Sequence, residues 1–122
     1  MSMPNIFTRD IDAAIVFYCD QLGFVQKDRV PGAGRPVHVV LQLGESLLAL
    51  SAPDAVGSVG LDPTSGNTFE LIVWCTDVDQ EVARLRAVGV AIVVEPYDHI
   101  GGRRRSYLAD PDGNWVALVG AS

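Results

Sequence analysis

A few side chains in this 122-residue chain are of types that do chemistry: His38 and His99, Cys19 and Cys75, Glu70, and the run Arg103-Arg104-Arg105. A divalent metal at a vacant catalytic site needs about three N, O or S donors from the protein. Neither histidine has an HxH or HxxxH partner, so His38 reads as a packed or partly exposed strand residue and His99 as a solvated loop residue. Neither cysteine belongs to a CxxC or CxxH pair, and both read as buried free thiols rather than a disulfide framework. No Ser or Cys sits in a nucleophile motif with a placed His, and Gly32-Ala33-Gly34 is not followed by a helix signal. Triad chemistry and a phosphate cradle are therefore not expected.

Glu70 is the sharpest single residue. Alternation along a strand puts Glu70, Ile72 and Trp74 on one face, and Trp115, Ala117 and Val119 on one face of another strand. A carboxylate on an otherwise apolar face must be paired, solvated or protonated. Either Glu70 meets a cationic or hydrogen-bond-donating part of a ligand, or it pairs internally with an arginine such as Arg104. In the arginine run, alternation sends Arg103 and Arg105 to one face and Arg104 to the other, so the three do not converge, and the cluster reads as a solvated edge.

Composition narrows the partners. Nine Lys and Arg against fifteen Asp and Glu give a net charge of -6, the wrong sign for neutralising phosphates, so neither nucleic acid nor an anionic membrane surface is an expected partner. With 48% hydrophobic and 20% charged residues the chain has the usage of an ordinary globular domain. No apolar run approaches the ~20 residues of a membrane span, and the N-terminus lacks a secretory pattern, so a cytoplasmic location is expected.

The elements that must position these residues follow from periodicity. Apolar Ile11, Ala14, Ile15, Tyr18 and Leu22 predict a helix over 10–22, capped by Asp10 and stopped by Gly23. Val78, Val82 and Leu85 predict a second over 77–88, with Asp77 and Gln80 spaced as a capping box and Gly89 as the stop. Strands are predicted over 5–8, 24–30, 37–43, 47–51, 69–76, 90–95, 104–109 and 115–119. Gly44-Glu45-Ser46 and Asp110-Pro111-Asp112-Gly113-Asn114 are turn signals between consecutive strands. The Pro- and Gly-containing stretch 53–67 reads as a linker, separating a module of about 1–52 from one of about 68–122.

The two modules repeat. Asp10, Ile11, Asp12 and Ile15 lie over Asp77, Val78, Asp79 and Val82, and Leu48-Ala49-Leu50 lies over Val116-Ala117-Leu118. Each half is then βαβββ, and Phe7 takes the place of Trp74. This pattern, with Phe17-Tyr18, Leu22-Gly23-Phe24, Asp77-Val78-Asp79, Gly89-Val90, Glu95-Pro96 and the turn at 110–114, resembles the glyoxalase/bleomycin-resistance/extradiol-dioxygenase group, the vicinal oxygen chelate superfamily.

The resemblance implies an α+β fold, residues 1–122 as one domain of two tandem βαβββ modules forming a curved mixed sheet around a cleft. It also implies a homodimer. Metal-dependent members place His, Gln or Glu at four positions that fall here on Met3, Ala49, Glu70 and Ala117, of which only Glu70 is a donor. No metal or other cofactor is therefore expected. What is left is apolar and aromatic: Phe7, Ile72, Trp74 and Trp115 as stacking and contact area, Ala49 and Ala117 as room, Glu70 as one polar contact, and Tyr97 as a lid aromatic beside Gly101-Gly102. The same aromatics could instead fill the core between sheet and helices. The expected function is sequestration of a hydrophobic or aromatic small molecule, an antibiotic among the candidates, and an acidic protein would attract a cationic drug of the bleomycin kind. A metal-dependent lyase or dioxygenase related to glyoxalase, and a ligand carrier in a biosynthetic pathway, stay open as alternatives.

Overall fold

In the computed structural model, which describes residues 3–57, 59–64, 66–67, 69–99 and 101–121, the chain divides into two compact units, 1–64 and 65–122. The division falls inside the stretch read as a linker. That stretch is not wholly irregular, since Asp54–Gly57 forms one helical turn, α2.

The first unit runs β1 (Asn5–Phe7), α1 (Ile11–Ile15), β2 (Val25–Val30), β3 (His38–Leu43), β4 (Ser46–Ser51) and α2. Its sheet has the order β1-β4-β3-β2, with β1 parallel to β4 and the other pairs antiparallel. The second runs β5 (Leu71–Trp74), α3 (Val78–Ala87), β6 (Ala91–His99), β7 (Arg103–Ala109) and β8 (Trp115–Ala121), in the order β5-β8-β7-β6, with β5 parallel to β8. Both units are thus βαβββ with mixed sheets, as the repeat predicts. Register makes the repeat residue by residue. Asn5 pairs with Ala49 and Phe7 with Ser51, as Ile72 pairs with Ala117 and Trp74 with Val119.

The helix starts repeat as well. Asp10 accepts from the Ala13 amide and Asp77 from the Gln80 amide, each at 3.1 Å, with nearly identical extended caps. This satisfies one of the amides that an α-helix leaves free at its N-terminus. The first helix does not keep its period to residue 22. After Ile15 it widens into a π-helical stretch, Val16–Gln21, in which the Leu22 amide reaches the Phe17 carbonyl five residues back. The widening lets adjacent Phe17 and Tyr18 both be buried, edge-on to each other at 4.8 Å, with Phe24 edge-on to Tyr18 at 5.9 Å. Leu22 and Ile15 are only half-buried as a result.

β6 also departs from expectation, running on to His99 rather than ending near Glu95. The strand predicted over 90–95 stops short of Pro96, and a proline cannot donate to a ladder. But β6 is an edge strand, and a register shift between Val94 and Tyr97 accommodates Pro96 there.

In each unit one sheet face packs on the helix. In the second, Val116, Leu118 and Leu108 are buried on that side, opposite Val78, Val82 and Leu85 of α3. Gly120 is where the chain comes closest: a Cβ there would lie 2.7 Å from the Cys75 carbonyl oxygen and 3.2 Å from a Val78 methyl. Because the nearest atom is backbone, Gly120→Ala is expected to cost about 1–3 kcal/mol, read as a lowered urea midpoint. An unchanged midpoint would mean that the α3 entry is not packed this tightly.

Candidate functional site

The side of the second sheet turned away from α3 collects most of the residues singled out above. Residues paired across a sheet share a face, so the rows can be read from the register. One row is Ile72, Ala117, Tyr107 and Val94; the next is Trp74, Val119, Arg105 and Tyr97; a third is Ala121, Arg103 and His99. Trp115 lies on the same face two residues before Ala117. Its backbone is fixed by Asn67, whose side chain accepts from the Trp115 amide at 2.9 Å and donates to the Gly113 carbonyl at 3.1 Å.

Trp74 is 63% exposed, Ile72 43% and Trp115 42%. They do not fill the core between this sheet and its helix. Nor do the indoles face each other across one ligand ring: their Cα atoms are about 14 Å apart, four residues along and one strand across. They mark the two ends of a face whose middle is Ile72 and Ala117. Ala117 is fully buried in its row, between Ile72 and Tyr107, and so forms floor rather than wall. At one end Tyr107 meets Trp115 edge-on at 6.4 Å. At the other the Arg103 guanidinium lies 5.2 Å from the centre of the Trp74 ring, a cation–π contact.

The polar groups are arranged differently from the expectation. Glu70 does pair internally, but with Arg105, whose Nη1 is 3.4 Å from Oε1. Arg104 points to the helix side, where it is held by Asp79 at 2.9 Å and Asp98 at 3.1 Å. Its hydrogen bonds keep the Asp79 carboxyl below the usual carboxylate range, and Asp79 in turn raises the Arg104 guanidinium. The arginine run is therefore no solvated edge, because β7 is an interior strand and the Arg105 side chain is only 17% exposed. Arg105 Nη1 also donates to the Tyr107 hydroxyl at 3.0 Å. Burial works against the Arg105 charge, but Tyr107 and Glu70 more than offset it, and its pKa lies above the ordinary value. Burial and then the nearby Glu70 carboxylate push the Tyr107 phenol up.

Tyr97 and His99 are corrected in the same way. Neither is on a loop: both lie in β6 on this face, and the Tyr97 hydroxyl is 3.1 Å from His99 Nδ1. Tyr97 is a wall residue of a strand, not a lid.

On the first unit, Phe7 is half-buried and Ala49 fully buried, on the sheet side away from α1. His38 is a strand residue, as read, but with partners that the sequence does not reveal. The Ser51 hydroxyl donates to Asn5 Oδ1 at 2.8 Å, so His38 Nδ1, 2.7 Å away, is the donor to Ser51 Oγ. These contacts join residues 13 and 46 positions apart, which no local motif could show. A separate pocket of this unit is lined by Arg9, Arg35, Pro36, Pro53 and Asp54; Arg35 there approaches Asp12 at 3.5 Å and Asp10 at 3.7 Å.

Both cysteines are free thiols, half-buried rather than buried. Burial raises the pKa of each, with Asp20 adding to the effect at Cys19, and Glu81 and Asp77 at Cys75. Since the thiolate is the nucleophile, iodoacetamide is expected to label either slowly at pH 7.5 and faster only above about pH 9. Rapid labelling at neutral pH would contradict this environment.

A family model for the Glyoxalase/Bleomycin resistance protein/Dioxygenase superfamily matches residues 2–118. The chain belongs to this superfamily. An uncharacterized protein of Mycobacterium bovis is 30% identical over 120 residues, covering 94% of this chain and 79% of the relative. A glyoxalase/bleomycin resistance protein/dioxygenase family enzyme from Burkholderia phytofirmans is 28% identical with a TM-score of 0.83, over 99% of this chain and 98% of that one. TioX from Micromonospora is 24% identical with a TM-score of 0.78, over 100% and 99%. Lactoylglutathione lyase from Agrobacterium tumefaciens is 22% identical with a TM-score of 0.76, over 98% and 92%. At these last two identities the likeness shows the shared superfamily fold.

The metal of the superfamily's metal-dependent members does not fit this chain's residues. Met3 offers only a thioether, Ala49 and Ala117 have no donor atom, and Glu70 is engaged by Arg105. Among the described residues no three His, Cys, Asp or Glu side chains gather into a possible metal site.

Proposed function

We propose that this superfamily member sequesters a hydrophobic, aromatic small molecule on the open face of its second sheet, without making or breaking a bond. The observation that carries the reading is the exposure of Trp74, Ile72 and Trp115 on one face of a sheet whose other face is a closed core. Large apolar side chains grouped in this way mark a contact surface for something apolar. Ala117 forms the floor, and Tyr97 and Tyr107 border it from β6 and β7. Phe7 and Ala49 occupy the equivalent places on the first sheet. An antibiotic is one such ligand, which would make the protein a resistance factor by binding. A lyase or dioxygenase would require donors that Met3, Ala49 and Ala117 do not supply.

Because Trp74 and Trp115 are the chain's only tryptophans, titration with aromatic antibiotics followed by indole fluorescence reads the face directly. Saturable quenching at micromolar ligand is the expected outcome; unchanged emission across a chemically diverse aromatic panel would contradict the reading. The homodimer that the resemblance implies is part of the proposal, and native mass spectrometry would test it.

A further inference from the structure

Resting on the binding role just proposed, we infer that the ligand is an acid: the second sheet's open face holds a planar oxyanion, a carboxylate in the simplest case, on Arg105 with Arg103, next to the platform that takes the aromatic body.

Arg105 is short of acceptors. A guanidinium carries five N–H donors and no acceptor. Here Nη1 serves Tyr107 at 3.0 Å and Glu70 at 3.4 Å, the second beyond the normal range for such a bond. Nε is buried and has no hydrogen-bond partner. A buried N–H without an acceptor is unfavourable and rare enough in folded proteins to need a reason. The edge formed by Nε and Nη2 is the one that grips a carboxylate through two parallel bonds. Because Nε is buried in the free protein, the guanidinium must turn from its long contact with Glu70 to bring that edge to the open face, where a ligand oxyanion supplies the missing acceptors.

The surroundings favour the same class. Arg103 is on the same face in the adjacent row, over the Trp74 ring, and Tyr97 and His99 stand across from the two arginines on β6. Among the described residues this face therefore carries two guanidiniums against the single carboxylate of Glu70, in a chain whose net charge is -6. The local field is opposite in sign to the whole protein's, and local charges dominate within about 8–10 Å in physiological salt. A cationic drug, which net charge alone would favour, meets the wrong sign at the face itself. Next to the charged end lies the apolar surface of Ile72, with Trp115 beyond it, so the shape of the ligand follows: an aromatic body with an acid group at one end.

Three naphthalenes of matched shape test this by calorimetry on the full chain: 2-naphthoate, 2-naphthamide and 2-naphthylmethylammonium. The expected order is naphthoate at least tenfold tighter than the amide, with the ammonium weakest. Arg105→Gln should abolish the preference for naphthoate while leaving amide affinity within about twofold. Arg103→Gln, at an exposed position, should reduce the preference about threefold and keeps the test intact if the Arg105 variant does not fold. Amide binding as tightly as naphthoate, or a preference that survives both substitutions, would overturn the acid inference. If all three bind equally and Trp74→Ala removes them, only the acid inference fails; if none binds, the binding reading fails with it.

Discussion

Alanine at Trp74 or at Trp115 is expected to weaken binding of an aromatic ligand by about 30-fold or more in each case, with folding left intact. Aromatic anchors that a bound partner desolvates contribute about 2 kcal/mol or more, and ~1.4 kcal/mol is a factor of ten in affinity. Trp74 is 63% and Trp115 42% exposed, both outside the core packed on α3, so removing either takes little from that core, and stability should stay within about 0.5 kcal/mol. The separation of effects is the content of the prediction. Trp74→Ala also releases Arg103 from its cation–π contact, so for an acidic ligand it should cost more than Trp115→Ala. Calorimetric affinities beside urea midpoints would check it, with Val88→Ala as an exposed apolar control outside the face. Loss of stability without loss of affinity would mean that the rings are structural.

The largest expected effect on stability comes from Asp110. Its side chain is buried and organises the turn between β7 and β8: Oδ1 accepts from the Asp112 amide at 2.9 Å and the Asn114 amide at 2.8 Å, and Oδ2 from Asn114 Nδ2 at 2.9 Å. Asp110→Ala leaves those donors without their acceptor and should cost about 3 kcal/mol. Asp110→Asn keeps one carbonyl acceptor and should recover part of the loss. Because the same turn sets the start of β8, the Ala variant should also disturb Trp115, visible as a shifted emission maximum. A urea midpoint within error of the parent's would show that the turn holds without its central carboxylate.

Much of the fold was legible because it is local. Asp10 and Asp77 cap their helices through amides three residues on, the turn at 110–114 closes within five residues, and the two halves carry these signals at matching offsets. Matching Phe7 to Trp74, and Ala49 to Ala117, required only the repeat, and register confirms it. What was hidden depends on partners distant in sequence or on competing demands. The first helix gives up its period because adjacent Phe17 and Tyr18 both need burial. The strand predicted over 90–95 runs on through Pro96 to His99 because β6 is an edge strand, which nothing in the sequence says. Glu70 and Arg105 are 35 positions apart; alternation put both on a face but could not choose Arg105 over Arg104 as the partner. Asn5, Ser51 and His38 form a chain for which no local spacing is a signal.

Sequestration without a metal is tested most directly by thermal unfolding of chelator-treated protein with two sets of additives: Ni, Zn, Fe(II) and Mn ions singly, and aromatic peptide and glycopeptide antibiotics. A ligand of the native state alone, at a hundred times its Kd, adds about 2.7 kcal/mol and raises the midpoint. A rise with one or more of the antibiotics and none with the ions is the expected result. A clear rise with Ni, Zn, Fe(II) or Mn would contradict it, and would show that donors other than those at positions 3, 49, 70 and 117 hold a metal in this chain.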